Sequence, residues 1–187
     1  GLSGRVYATM CELFGMSSRH PATVSFSLHE FARHGGLSAP NRDGWGIGYF
    51  RERAAQVIRE PRPASESPLV QLLERQEWAG QLFISHLRRA THGATALCNT
   101  PPCERELSGR AHLFAPTREI PDFRSLPLGS RYRPMGQTDS EHAFCYLLEQ
   151  LRPVWNGDGI PELSSRLEVF AMVTAKLRSL GLANILY

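Results

Sequence analysis

Apolar residues along this chain follow two spacings, one typical of strands and the other typical of helices. Short apolar runs predict strands at residues 11–16, 81–87 and 111–115. The first of these is expected to end at the turn-forming pair Ser17-Ser18. Two β-rich runs separated by a polar turn, 46–51 and 55–59, predict a hairpin.

Amphipathic stretches between these strands predict helices at residues 22–34, 67–78 and 161–180. A further helix has the clearest start signal in the chain, because Thr138-Asp139-Ser140-Glu141 fits a capping box. Asp139 is therefore expected in the first turn of that helix. Residues 116–136, rich in Pro, Arg and Gly, are expected to be irregular. Alternating strands and helices indicate an α/β fold.

Composition narrows the class of protein. The 187 residues, 42% hydrophobic and 21% charged, fit one globular domain or at most a domain with a small appendage. The net charge of +3 is small, so neither nucleic acid nor a membrane surface is indicated as a partner. No apolar run approaches the roughly 20 residues that span a bilayer, and no secretory signal is present, so we expect a cytoplasmic protein. The four irregularly spaced cysteines are expected to be reduced.

The first ten residues are expected to be a leader, either an expression remnant or a propeptide, before one domain at 11–187. Cys11 follows Met10 directly and could become residue one of a mature chain. A terminal cysteine carries a nucleophilic thiolate and an α-amine, whose pKa of about 7.7–8.0 suits a general base. The alternative is that Cys11 is simply a small buried residue that opens a strand.

Three further segments carry residues suited to chemistry: 42–48 (RDGWGIG), 86–93 (HLRRATHG) and 136–141 (GQTDSE). With the Met-Cys-Glu-Leu that begins at Met10, their order and content resemble the class II, N-terminal nucleophile (Ntn) glutamine amidotransferases. The stand-alone bacterial branch of that family is the most similar. The resemblance runs from Met10 to the last residue.

The resemblance implies a four-layer αββα sandwich of two antiparallel sheets, which we expect to be shortened at its C-terminus. It implies a type-2 glutaminase domain that hydrolyses the side-chain amide of glutamine through an N-terminal cysteine to give glutamate and ammonia. Such nucleophilic and acid-base chemistry needs no metal and no organic cofactor. Ammonia would go to water or to a separate ammonia-accepting enzyme, because the chain is too short for an acceptor domain.

Residue by residue, the resemblance makes Cys11 the nucleophile and assigns the two charged ends of glutamine to Arg88 and Asp139. A guanidinium can hold the α-carboxylate with two parallel hydrogen bonds, and a carboxylate can take the α-ammonium. Further residues would line the same pocket: Thr91, His92 and Gly93. Arg42 is a candidate for supporting the nucleophile. The competing interpretation is a surface salt-bridge arginine and a helix-capping aspartate.

The chain departs from the family where the oxyanion hole is expected. The family has His-Asn-Gly after the strand that ends here at Ala115, whereas this chain has Pro116-Thr117-Arg118. Losing one preorganised donor typically lowers the rate about 10²- to 10³-fold. Three hypotheses therefore stay open: a glutaminase, an Ntn amidohydrolase acting on a γ-glutamyl or other amide, and a catalytically impaired glutamine-binding module.

Overall fold

The computed structural model describes residues 10–52, 54–76, 78–117, 119–157, 159–181 and 184–187, and the predicted leader lies outside these ranges except for Met10. Within them the chain forms seven strands: β1 (Glu12–Thr23), β2 (Trp45–Arg51), β3 (Ala54–Glu60), β4 (Ala79–Leu87), β5 (Cys103–Leu107), β6 (Arg110–Pro116) and β7 (Ile185–Leu186). The same residues form four α-helices: α1 (Ser25–Arg33), α2 (Pro68–Glu74), α3 (Asp139–Leu151) and α4 (Leu163–Ser179).

The strands form two antiparallel sheets. The first has the order β1-β4-β2-β3, and the second has the order β5-β6-β7. The predicted hairpin is confirmed as β2 and β3, which pair from Trp45↔Glu60 to Arg51↔Ala54. A left-handed residue, Glu52 with φ 58°, lies in its turn.

Three apolar clusters define the layers. One cluster packs α1 and α2 against the first sheet and includes Leu28, Val70 and Phe83. A second lies between the sheets around Ile84 and Leu113, and a third packs α3 and α4 against the second sheet. The order helices, sheet, sheet, helices confirms the predicted αββα architecture.

Strand β4 shows why its sequence is an almost continuous apolar run. Phe83 and Leu87 pack against the helices, whereas Ile84 faces the second sheet. A strand buried on both faces loses the usual alternation of apolar and polar residues. His86 lies on β4 and is also buried, with 1% of its surface exposed.

The prediction that the first strand ends at Ser17-Ser18 is wrong, because β1 continues to Thr23. Ser17 pairs with Leu82, and after an irregularity the ladder resumes with Ala22↔Gly80. A strand at the edge of a sheet tolerates such a break and Pro21 within it, since one side needs no ladder hydrogen bonds. The helix predicted from residue 22 accordingly begins at Ser25.

Helix α3 begins where the capping box predicted, since the Thr138 hydroxyl accepts a hydrogen bond from the Glu141 N–H at 3.3 Å. The reciprocal half of the box is replaced by other contacts. The buried Glu141 carboxylate accepts from the Gly136 N–H at 2.6 Å and pairs with Arg105. Glu141 therefore fastens the preceding loop to the helix, and Asp139 is fixed in the first turn.

Candidate active site

A cavity of about 340 Å³ opens where β1 begins, β4 ends and α3 begins. Because β1 and β4 are antiparallel and Glu12 pairs with Leu87, Cys11 lies beside the segment that follows β4. The cavity is lined by candidate residues from every predicted motif except 42–48: Cys11, Arg88, Thr91, His92, Thr117 and Asp139.

Cys11 is held against the backbone of Arg89. Its sulfur accepts a hydrogen bond from the Arg89 N–H at 3.2 Å and lies 3.4 Å from the Arg89 carbonyl oxygen. Burial raises the pKa of the Cys11 thiol, while the Arg89 N–H and the Arg88 charge act in the opposite direction. The thiol therefore needs a base or a further positive charge to become a thiolate readily.

Arg88 is buried, with 3% of its surface exposed, and its guanidinium is surrounded by carbonyl oxygens. Nη2 donates to the His92 and Gly93 carbonyls at 2.8 and 3.1 Å. Nη1 donates to the Asp43 and Ala94 carbonyls, both at 3.3 Å. Burial lowers the pKa of Arg88, an effect that the nearby Asp43 carboxylate opposes. This arginine is therefore a buried cation around which the loop after β4 is folded, and it is not a surface salt-bridge residue.

The segment 42–48 does not line the cavity, but its Asp43 contacts the cavity-lining residues that follow β4. Its carboxylate accepts from the Ala90 N–H at 2.8 Å, and its own N–H donates to the Arg88 carbonyl at 3.0 Å. The structure does not bring Arg42 to the cavity, because its guanidinium pairs with the exposed Glu66. Asp43, which was not predicted from the sequence, is the residue of this motif that contacts the segment after β4.

Asp139 also lines the cavity and is buried, with 5% of its surface exposed. Its two carboxylate oxygens accept from the Ile120 N–H at 2.6 Å and the Ser140 N–H at 2.9 Å. Burial raises the pKa of Asp139, and these two hydrogen bonds oppose that shift. Asp139 thus lies in the first turn of α3, which confirms the prediction from the capping box. It also lines the cavity.

Thr91 and His92 line the cavity as predicted, whereas Gly93 does not and lies just behind them in the chain. The His92 Nδ1 lies 2.8 Å from the Glu119 carboxylate and links the loop 91–93 to the one after β6. Gly93 has φ 76°, and a Cβ there would lie 2.9 Å from the Asn99 side-chain nitrogen. Glycine is therefore required at this position by both conformation and space. Asn99 and Glu119 were not predicted from the sequence and also line the cavity.

Thr117, at the substituted oxyanion position, is 7% exposed and lines the same cavity. Arg118, the other substituted position, lies outside the described residues. Pro116, the residue before Thr117, contacts the strand β4, since the His86 Nε2 lies 3.0 Å from the Pro116 carbonyl oxygen. Burial lowers the pKa of His86 to about 3, so this histidine is neutral and donates its Nε2–H to that carbonyl.

A thiol, a buried cation and a buried carboxylate thus share one cavity at the strand ends of an αββα sandwich. Opposite charges that line one small cavity suit a zwitterion, and the thiol lines the same cavity. Fold and site together define an αββα sandwich protein whose cavity contains a cysteine, an arginine and an aspartate.

The whole described length matches a known family, since the model of the class II glutamine amidotransferases covers residues 10–187. The Escherichia coli K12 protein YafJ, provisionally named a glutamine amidotransferase, is 34% identical over 95% of this chain and 69% of its own. A Haemophilus influenzae protein with the same provisional name is 32% identical over 92% of this chain and 56% of its own. The chain belongs to the class II glutamine amidotransferases.

One solved structure and one further relative agree with this assignment. A crystal structure of a predicted glutamine amidotransferase from Pseudomonas aeruginosa PA01 superposes with a TM-score of 0.66 at 30% identity, covering 94% of this chain and 68% of that one. An uncharacterized Methanocaldococcus jannaschii protein, MJ1515, is 34% identical over 82% of this chain and 43% of its own.

Among the residues that the structure describes, no helix has the length and apolar character needed to cross a membrane.

Proposed function

We propose that this protein hydrolyses the side-chain amide of glutamine to glutamate and ammonia, with Cys11 as the nucleophile. The observation that supports this most is the joint presence of Cys11, Arg88 and Asp139 around one cavity. Glutamine has an α-carboxylate, an α-ammonium and a neutral amide, and the cavity offers a cation, an anion and a thiol. Membership of the class II glutamine amidotransferases supports glutamine as the substrate.

Arg88 supplies the positive charge for the α-carboxylate in this proposal. Its four Nη–H groups already donate to carbonyl oxygens, so a bidentate grip on the carboxylate requires two of those hydrogen bonds to be exchanged. The His92 and Gly93 carbonyls share one nitrogen of Arg88, and His92 lines the cavity, so these two are the ones we expect to yield. Binding of glutamine therefore repositions the loop 91–93, with Thr91 and His92 adjusting around the substrate.

The α-ammonium is held by Asp139, which must be ionised to do so. Its two backbone hydrogen bonds stabilise the carboxylate form despite burial. A carboxylate has about four acceptor positions, so two remain for the substrate ammonium. The side-chain amide then points away from both charged ends, toward Cys11.

The reaction begins when the Cys11 thiolate attacks the amide carbon and the carbonyl electron pair moves onto oxygen. The Cys11 α-amine takes the thiol proton before this attack and gives it to the leaving nitrogen when the intermediate collapses, so the carbon–nitrogen bond breaks and ammonia is released. Water then attacks the γ-glutamyl thioester, giving glutamate and returning the thiol. Each step is nucleophilic or acid-base chemistry, so no cofactor is included in the proposal. Ammonia passes to water or to a separate accepting enzyme.

The base in this scheme is the α-amine of Cys11, which exists only when Met10 and the leader are removed. With the leader attached, the nitrogen of Cys11 is an amide without basicity. Since burial raises the pKa of the thiol, a built-in base matters for activation. We therefore infer that processing to a terminal Cys11 is a condition for activity.

The test compares protein that begins at Cys11, protein that retains Met10, and a Cys11→Ala variant. Glutamate and ammonia release is measured with glutamine and with γ-glutamyl amides, alongside calorimetric binding of glutamine. We expect release only from the protein that begins at Cys11, and binding by all three. Undiminished release by Cys11→Ala would refute the mechanism, and a preference for larger γ-glutamyl amides would favour an amidohydrolase.

One observation favours a second candidate, a glutamine-binding module without turnover. The Asn-Gly pair of the family is replaced by Thr117 and Arg118, and the Thr117 N–H already donates to the Asn184 carbonyl at 3.1 Å. Fewer backbone donors are thereby left for an oxyanion. Glutamine binding without release by protein that begins at Cys11 would establish this candidate in place of the glutaminase.

A further inference from the structure

The Thr117 side chain differs from that of asparagine, but it still offers one hydrogen-bond donor at the cavity. Thr117 is buried and lines the cavity that contains Cys11. A tetrahedral intermediate formed at Cys11 needs a donor aimed at its oxygen. The contacts of the Thr117 N–H and hydroxyl decide which of the two is available.

The Thr117 N–H is not available to a substrate. It donates to the Asn184 carbonyl at 3.1 Å, which extends the pairing of β6 and β7 by one residue beyond Pro116↔Ile185. Using this N–H for an oxyanion would break a ladder hydrogen bond. The hydroxyl is therefore the donor that Thr117 can contribute.

The Thr117 hydroxyl has a defined orientation because Asn184 also contacts it. The Asn184 side-chain nitrogen donates to the Thr117 Oγ1 at 3.4 Å. An amide nitrogen can only donate, so the hydroxyl accepts in this contact and does not use its own hydrogen there. Within the described residues no acceptor contacts that hydrogen.

Thr117 is also held rigidly in position. The preceding carbonyl, that of Pro116, accepts from the buried His86 at 3.0 Å, which links β4 to the end of β6. Together with the two contacts from Asn184, this fixes the backbone and the hydroxyl before substrate arrives. Rigid placement of donors is what makes an oxyanion hole effective.

We propose that the Thr117 hydroxyl donates to the oxyanion formed when Cys11 attacks the amide carbon, and that Asn184 is a positioning residue that presents this hydroxyl. The inference rests on the proposed glutaminase function. When sulfur bonds to carbon, the carbonyl electron pair moves to oxygen and this oxygen accepts the Thr117 O–H. Collapse of the intermediate restores the carbonyl and weakens that hydrogen bond. No proton is transferred by Thr117 in either step.

The test uses protein that begins at Cys11 and measures kcat and KM for glutamine. Thr117→Val keeps the shape of the side chain but removes the hydroxyl, and we expect kcat to fall about 10²- to 10³-fold with KM nearly unchanged. Thr117→Ser should recover much of that loss. Asn184→Asp replaces the donating nitrogen by an acceptor that captures the hydroxyl hydrogen, so kcat should fall about tenfold or more.

The matched control is Thr174→Val, because the Thr174 hydroxyl donates within α4 to the Phe170 carbonyl at 2.8 Å, away from the cavity. It should retain the wild-type kcat. If the wild type turns over glutamine and Thr117→Val does so equally well, this inference is overturned while the glutaminase stands. An inactive wild type would overturn both. Unchanged kcat in Asn184→Asp would remove the positioning role, and the unfolding midpoint of each variant shows whether it is folded.

Discussion

Mild acid should destabilise the protein through His86, because the folded state cannot easily accommodate its protonated form. The imidazole is 1% exposed, and its Nδ1 is buried without a hydrogen-bond partner among the residues that the structure describes. Burial lowers the pKa of His86 to about 3, from an ordinary value of 6.5. The unfolded chain therefore takes up a proton at a pH where the folded chain does not.

The sign and size of the effect follow from this difference in pKa. The stabilisation is complete above about pH 6.5, where neither state binds the proton, and is lost as the pH falls toward about 3. Between about pH 7.5 and pH 5, the free energy of unfolding should fall by about 2 kcal/mol from this residue alone.

Urea unfolding of the wild type and His86→Gln at both pH values measures this contribution. The side-chain amide introduced by this substitution can still donate to the Pro116 carbonyl but does not titrate in this range, and the other histidines are the same in both proteins. The wild type should lose about 2 kcal/mol more than the variant over this interval. Equal losses in the two proteins would refute the interpretation of His86 as a buried neutral donor.

Three further predictions concern the substrate side of the cavity. Arg88→Lys should lower the free energy of unfolding by about 1–3 kcal/mol, because one ammonium cannot donate to four carbonyl oxygens. The control is Arg131→Lys at an exposed site, which should leave the urea midpoint unchanged. Gly93→Ala should cost about 1 kcal/mol or more and weaken glutamine binding, because φ is 76°. Asp139→Asn should weaken glutamine binding, measured by calorimetry, about 10- to 100-fold. In the wild type, the affinity for glutamine should begin to fall at a pH above the ordinary pKa of aspartate as the solution is acidified, since the pKa of Asp139 is raised.

Each of these predictions has an outcome that would contradict it. An Arg88→Lys protein as stable as the wild type would mean that the carbonyl contacts contribute little. Unchanged glutamine affinity in Gly93→Ala would separate the loop 91–93 from binding. Asp139→Asn with wild-type affinity, or an affinity that is flat down to the ordinary pKa of aspartate, would exclude the carboxylate as the partner of the α-ammonium.

Much of the site could be anticipated because sequence signals for it are local. A capping box predicted the start of α3 and with it the place of Asp139, and the apolar run of β4 predicted the strand that ends just before Arg88. The antiparallel pairing of β1 with β4 then brings Cys11 beside Arg89. The capping box and the apolar run each involve residues that are close in sequence, so both can be recognised without knowing the long-range contacts of the fold.

Other features depend on contacts between distant segments and leave no local signal. Strand β5 was not predicted, because its charged centre (Glu104, Arg105, Glu106) hides the two buried ends, Cys103 and Leu107. Strand β7 has only two residues and exists through its pairing with β6. The role of Asp43 as an acceptor for the Ala90 N–H arises only once β2 and β4 are neighbours.

Trapping the acyl-enzyme tests the central claim, that Cys11 is the nucleophile for glutamine, most directly. Protein that begins at Cys11 would be mixed with glutamine, quenched in acid within a turnover, and its peptides analysed by mass spectrometry. We predict one γ-glutamyl group on the N-terminal peptide, attached to Cys11, and none on protein that retains Met10. Turnover accompanied by a γ-glutamyl group on another residue, or the same adduct with Met10 in place, would contradict the claim.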